Sequence, residues 1–206
     1  MIARHGTEDP SAWVQRWSHL VPAGEPVLDV ACGAGRHMRW LHDQGHPVVG
    51  VDRSPEAIAA VADLGEVLCA DLENGPWPWP GRAFGGVVVT NYLWRPLFPV
   101  LQQSVAAGGV LIYETFAAGN ETVGKPSNAD FLLRTGELLG AAAATGLRVV
   151  AFEDGFVDLP PRFVQRIVAV REPLAGAAPR YCLDAEPVPP PVTGPTLNSA
   201  ARKDPA

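Results

Sequence analysis

Val27-Leu28-Asp29-Val30-Ala31-Cys32-Gly33-Ala34-Gly35-Arg36 is an apolar run that breaks into a glycine turn and then into a helical stretch. Gly33 and Gly35 allow a sharp turn and bring backbone close to a ligand, where a Cβ would obstruct it. The helix that follows opens on free N–H groups. An ordinary tight strand-to-helix turn accounts for the glycines but not for Asp29. A carboxylate near the end of a buried first strand is costly without a partner, and a ligand amine is a natural one.

Working outward, strands and helices alternate. Trp13, Arg16, Trp17 and Leu20 sit at helical spacing, in a first helix over 8–21 that ends near Pro22. Strands are expected over 26–31, 48–51, 67–70, 86–90 and 109–115. Helices are expected over 35–44, from the cap Ser54-Pro55, over 95–106, and over 134–145 with Thr135 as cap and Gly146 at its end. The near-continuous valines before Thr90 read as a strand buried on both faces of a parallel sheet. Runs 147–156 and 163–171 flank a short turn and form an antiparallel hairpin. The pattern describes an α/β fold: a Rossmann-like, doubly wound, seven-stranded, mostly parallel sheet with a C-terminal antiparallel hairpin and helices on both faces. Ligands of such sheets bind outside the carboxyl ends of the strands.

Two more strands end in carboxylates. Val48-Val49-Gly50-Val51-Asp52 closes 17 positions after Gly35, a spacing that suits hydrogen bonds to ribose hydroxyls. Cys69-Ala70-Asp71-Leu72 offers an acceptor for an adenine amino group and an apolar cover for its ring. Three acidic strand ends describe a nucleoside-shaped site. A dinucleotide fingerprint would put a third glycine where Met38 stands, and no tyrosine is followed four residues later by lysine. NAD is therefore the weaker reading.

From Val27 to Asp52 the chain resembles motif I and the following acidic position of class I S-adenosylmethionine-dependent methyltransferases. Cys69 to Leu72 is similar to that family's adenine-contacting segment, and Val87 to Tyr92 to its fourth strand and catalytic loop. Cys-Gly-Ala-Gly-Arg followed by Asp52-Arg53-Ser54-Pro55 resembles most the small bacterial tellurite-resistance methyltransferases. The resemblance covers residues 25–171. It implies S-adenosylmethionine as cofactor, with Asp29, Cys32, Gly33, Gly35 and Arg36 around the methionine portion. Asp52 and Arg53 fall at the ribose, Asp71 and Leu72 at the adenine, and Thr90 and Asn91 beside the sulfonium. Arg36 stands where the family often has a third glycine, and Phe84-Gly85 replaces its common Phe-Asp.

Asn91, Tyr92 and Arg95 are the candidate catalytic residues: a hydrogen-bond acceptor, a wall and an anion clamp. Glu114, Asn120 and His37 are the candidate substrate contacts, with Thr115-Phe116 and Gly124-Lys125 on the same rim. A polar loop of that length is uncommon unless it acts as a lid or binds something. The segment after Thr90 lacks both prolines of the Asn-Pro-Pro-Tyr motif of base methyltransferases. His42 and His46 have the spacing of a metal pair, but Gly45 and Pro47 break the helix there, so no metal is expected. The Trp77-Pro78-Trp79 loop is expected to cover the sheet edge.

Bulk properties narrow the alternatives. With 206 residues the chain suits one domain, expected over 1–172, and 47% hydrophobic residues supply a core. No apolar run approaches the ~18 residues that span a bilayer, and the first ten residues do not resemble a signal peptide, so a cytoplasmic location is expected. The three scattered cysteines disfavour a disulfide framework. A net charge of −6 with only Lys125 and Lys203 as lysines disfavours a broad nucleic-acid footprint. The Pro- and Ala-rich residues 173–206 are expected to form an extended or disordered tail. A small-molecule acceptor (a thiol, amine, hydroxyl or metalloid oxyanion) is the first expectation. An RNA- or protein-modifying methyltransferase and a non-catalytic nucleoside-binding module are the alternatives.

Overall fold

The computed structural model describes residues 9–173, 175 and 179–184. Seven strands form one sheet: β1 (Val27–Val30), β2 (Val48–Asp52), β3 (Glu66–Cys69), β4 (Phe84–Thr90), β5 (Val105–Phe116), β6 (Arg148–Asp158) and β7 (Pro161–Val170). Their order is β3-β2-β1-β4-β5-β7-β6. The pairs among β1 to β5 are parallel, and β7 runs antiparallel to both β5 and β6. The tips of β1 to β5 therefore share one edge, and the strand order reverses between the neighbours β1 and β4. The seven-stranded α/β fold expected from the sequence is the fold observed.

Every residue of β1 and β4 is buried, because helices cover both faces. On one face lie α1 (Ala12–Trp17), α2 (Arg36–Asp43) and the residues around α3 (Pro55–Ala59), with Trp13, Trp17, Met38 and Val61 buried in a common cluster. On the other lie α4 (Phe98–Gln103) and α5 (Glu137–Ala144), with Leu101, Leu138 and Ala142 packed on Leu111 and Ile167. A buried tryptophan removes on the order of 150–250 Å² from water, so Trp13 and Trp17 fasten the short α1 to the sheet. Trp79 stacks edge-on to Phe84, and its Nε1 donates to Glu66 on the edge strand at 3.0 Å. That is the covering role expected for the Trp loop.

Helix boundaries differ from expectation for physical reasons. Pro96 and Pro99 leave a 3-10 turn over Arg95–Leu97 before α4, and the chain is already in β5 at Val105, paired with Phe84. Thr135 does not cap α5. Gly136, at φ +68°, takes the N-cap position, and the Glu137 carboxylate reaches back to the Arg134 N–H at 2.8 Å. The expectation of a disordered tail from residue 173 is corrected for 179–184. Tyr181 packs against the α1-side cluster beneath the Arg148 guanidinium, and Arg16 donates to the Leu183 carbonyl. The remaining tail residues beyond 175 lie outside the described set.

Candidate functional site

The glycine turn after β1 is built on three left-handed residues: Ala31 at φ +55°, Gly33 at +54° and Gly35 at +79°. Alanine in this region costs roughly 1–3 kcal/mol, so the surrounding structure must hold it there. It does so through the neighbouring strand. The Cys32 N–H donates to the Val51 carbonyl at 3.0 Å, and the Gly33 N–H donates to Asp52 Oδ2 at 2.9 Å. Asp52 Oδ1 accepts from the Ser54 N–H at 2.9 Å, while Ser54 caps α3 by accepting from the Ala57 N–H. One carboxylate thus ties the β1 turn to the start of α3 and still faces the cleft.

That cleft, about 710 Å³, runs along the shared strand edge. One half is lined by Ala31 to Gly33, Arg36, His37, Val51 to Arg53 and Ala70 to Glu73. Asp71 is exposed there, and hydrogen bonds from Asn74 and the Glu73 N–H hold its carboxyl below the usual range. Leu72 beside it is buried. The other half is formed by residues after β4 and β5. Thr90 and Asn91 stand at the β4 tip, where Asn91 adopts φ +54° and donates its N–H to the Glu114 carbonyl. Asparagine tolerates this conformation better than most residues. Tyr92 follows, its carbonyl accepting from the Tyr113 hydroxyl at 2.9 Å, and burial pushes its phenol up. Phe116, Lys125, Pro126 and Phe131 close this end.

Beneath the β1 end lies a buried polar group of three. His37 Nε2 accepts from the Ser11 N–H at 3.2 Å, so Nδ1 carries the proton of the neutral ring. Burial, aided by Arg36, pulls the imidazole down to about 3. Nδ1 lies 3.5 Å from Thr90 Oγ1 and 4.0 Å from Asp29 Oδ2. Asp29 Oδ2 has no hydrogen-bond partner among the described residues, and burial raises the carboxyl from 3.8 to about 7. Burial likewise pushes the Cys32 thiol up, with Asp29 and Asp52 adding to the effect, which leaves it a poor nucleophile.

Of the residues expected at the site, the cleft brings together Cys32, Gly33, Arg36, His37, Asp52, Arg53, Asp71, Leu72, Thr90, Asn91 and Tyr92. Five expectations are corrected. Asp29 lies behind the cleft surface instead of on it. Gly35 does not line the cleft; a Cβ there would collide with Val61 Cγ1, so its role is close packing of the helix entry. Arg95 is no anion clamp. Its guanidinium is consumed by both Glu137 oxygens, at 2.6 and 3.0 Å, and by the carbonyls of Asp130 and Leu132. Glu114 is buried, bonded by Ser11 Oγ and Arg166 with Arg162 at 3.8 Å, and is turned away from the cleft. Asn120 is buried too, donating to the Pro126 carbonyl and accepting from the Phe163 N–H. The expected rim residues Thr115, Phe116 and Lys125 do line the cleft. Leu93, in the segment from Asn91 to Arg95 expected at the mouth, lines it too, and Ala31, Glu73, Pro126 and Phe131 join them without any local signal in the sequence. Among the described residues no cluster of metal-ligating side chains occurs.

Comparison with known proteins accords with this geometry. The methyltransferase domain family matches residues 27–107, from β1 into β5. The tRNA U34 carboxymethyltransferase of Shewanella piezotolerans is 31% identical over 159 residues, covering 62% of this chain and 47% of that protein. The chain spans about half the length of the curated relatives it matches. The charge argument against a nucleic-acid partner finds no support in that relative, which is named for tRNA. TehB from Haemophilus influenzae superposes with a TM-score of 0.63 at 17% identity, over 81% of this chain and 63% of that one. A TehB-like S-adenosylmethionine-dependent methyltransferase from Corynebacterium glutamicum gives 0.59 at 21% identity, over 81% and 90%. The match over residues 27–107 is thus to a methyltransferase domain, and the sheet has the architecture of class I S-adenosylmethionine-dependent methyltransferases. No helix among the described residues is long and apolar enough to cross a membrane.

Proposed function

We propose that this chain binds S-adenosylmethionine along the tips of β1, β2 and β3 and transfers its methyl group to a small acceptor held over the tips of β4 and β5. The observation that carries the reading is the bond from the Gly33 N–H to Asp52, which joins the glycine turn and the ribose-facing carboxylate into one surface. Fit to the cofactor is supported by the orphaned Asp29 oxygen beneath that surface, a buried carboxyl whose ionisation a cationic ligand favours.

When bound, the sulfonium supplies a methyl carbon already activated toward displacement, so alignment is the main task; such positioning contributes roughly 7–11 kcal/mol. Asp52 keeps one lone pair on each oxygen for the ribose hydroxyls. Asp71 accepts from the adenine amino group, and Leu72 covers the ring. Thr90 and Asn91 flank the reacting centre, while Tyr92 walls it. His37, buried and neutral, orders Ser11 and the β1 turn.

Calorimetry with S-adenosylhomocysteine tests the binding half of this reading, and an absence of binding sinks it. Transfer of tritiated methyl groups into a cell extract, fractionated by size, tests the acceptor. Label in the small-molecule fraction is expected; label confined to RNA or protein moves the acceptor there.

A further inference from the structure

The loop over residues 117–136 is not a slack connection. Ala117 bridges to Leu133, the Ala118 N–H donates to the Leu133 carbonyl, and the Leu133 N–H donates to the Phe116 carbonyl. Leu132 and Leu133 are buried. The Asn120 side chain holds Pro126 at one side of the loop, and Arg95 holds the carbonyls flanking Phe131 at the other. Both brackets are side chains already spent on structure, and both fix a part of the loop that lines the cleft.

The two residues so presented, Lys125 and Phe131, both line the cleft. Lys125 makes no hydrogen bond or ion pair among the described residues, and Phe131 is 46% exposed although its neighbours are pinned. The carboxylates that line the cleft, Asp52, Asp71 and Glu73, all belong to the nucleoside half. Over β4 and β5 the described lining carries one cation, no carboxylate, and the rings of Tyr92, Phe116 and Phe131. In a chain of net charge −6, a carboxylate-free, cationic pocket of this kind selects for an anion, and its aromatic walls select for a flat apolar body.

We propose that the acceptor half of the cleft binds a small aromatic acid, its anionic group paired with Lys125 and its ring packed against Phe131. The proposal rests on the donor reading above and assigns the other half of the same cleft. Lys125 reaches the anion as a mobile point charge. Phe131 supplies the stacking face, and the Arg95 and Asn120 brackets keep the two at a fixed separation.

The test uses the full chain saturated with S-adenosylhomocysteine and titrated with benzoate, benzamide and acetate. Benzoate is expected to bind about tenfold or more tightly than either of the others, the scale of one charge-assisted hydrogen bond or one buried ring. Lys125→Met removes the preference over benzamide, Phe131→Ala removes the preference over acetate, and neither changes the affinity for S-adenosylhomocysteine. Equal binding of benzoate and benzamide, no binding of either, or a preference that survives Lys125→Met overturns the proposal. So does a short oligouridylate that binds the loaded protein more tightly than the carboxylates, which assigns the pocket to RNA. If S-adenosylhomocysteine itself fails to bind, the donor reading falls, and the same titrations on the free protein still decide what the loop selects.

Discussion

The Asp29 carboxylate and the His37 imidazole face one another across 4.0 Å, Oδ2 to Nδ1, with both side chains buried. The gap is too wide for a hydrogen bond, and His37 is neutral, so the nearby Arg36 charge offsets the burial of the carboxyl only in part. Its rise to about 7 follows from burial. In the free protein the folded state keeps a proton that the unfolded chain releases near 3.8. This group's contribution to stability is therefore full below about pH 4 and is lost as pH rises through about 7. A cationic donor reverses the preference, because it favours the ionised carboxyl. Donor affinity is expected to rise between about pH 6 and 8, with uptake of the ligand releasing a proton. Calorimetry in two buffers of different ionisation enthalpy reads that proton. Asp29→Asn should flatten the profile, and a proton count of zero in the native protein removes Asp29 from the binding linkage.

Asp52 has two tasks, and substitution separates them. Asp52→Ala deletes the acceptor of the Gly33 and Ser54 N–H groups as well as the ribose contact. Donor affinity should fall by about one to two decades, the cost of losing a charged hydrogen-bond partner, and the urea midpoint should fall with it. Asp52→Asn retains an acceptor oxygen for one of the N–H groups, so it should recover stability more than affinity. Affinity unchanged in both variants contradicts the placement of Asp52 at the ribose.

What the chain reveals before folding is unequal across this site. The tips of β1, β2 and β3 are legible because each is an apolar run ending in a carboxylate or glycine, and strand periodicity places such residues on one sheet edge. Ala31 is not legible as a turn residue, since alanine carries no turn signal, and the bonds that hold the turn, from Cys32 to Val51 and from Gly33 to Asp52, reach a different strand. Arg95, Glu114 and Asn120 look, in their local sequence, like free polar groups at a rim. Their partners Glu137, Arg166 and Phe163 lie 42, 52 and 43 positions away, and nothing local announces those pairings. The docking of Tyr181 is hidden for the same reason: the composition of the C-terminal region resembles a tail, while the contact is tertiary.

Gly35 offers a test of packing that leaves ligand chemistry aside. Its φ of +79° and the collision of any added Cβ with Val61 Cγ1 penalise alanine twice. Gly35→Ala should destabilise the protein by about 1–3 kcal/mol, from overpacking and from left-handed backbone. Val61→Ala opens room for the new methyl, so the double variant should be less destabilised than the sum of the single ones. Additive losses in urea unfolding contradict the contact.

Arg95 and Glu137 set the position of the loop without touching the ligand. Fork-to-fork pairing directs the guanidinium, and the same guanidinium then donates to the Asp130 and Leu132 carbonyls on either side of Phe131. Arg95→Lys keeps the charge but offers a point donor in place of the fork, so it cannot serve the carboxylate and both carbonyls together. Exchange of the loop amides around residues 130–133 should accelerate in Arg95→Lys and more so in Arg95→Ala, with the β1 to β3 tips unaffected. Donor affinity should hold, because the nucleoside half does not depend on the loop, while turnover falls as Phe131 loses its fixed position. A general destabilisation would speed exchange across the sheet as well, so hydrogen-exchange mass spectrometry distinguishes the two. Loop exchange that stays at the native rate in Arg95→Ala shows that Phe131 is held by its own packing and not by this bracket.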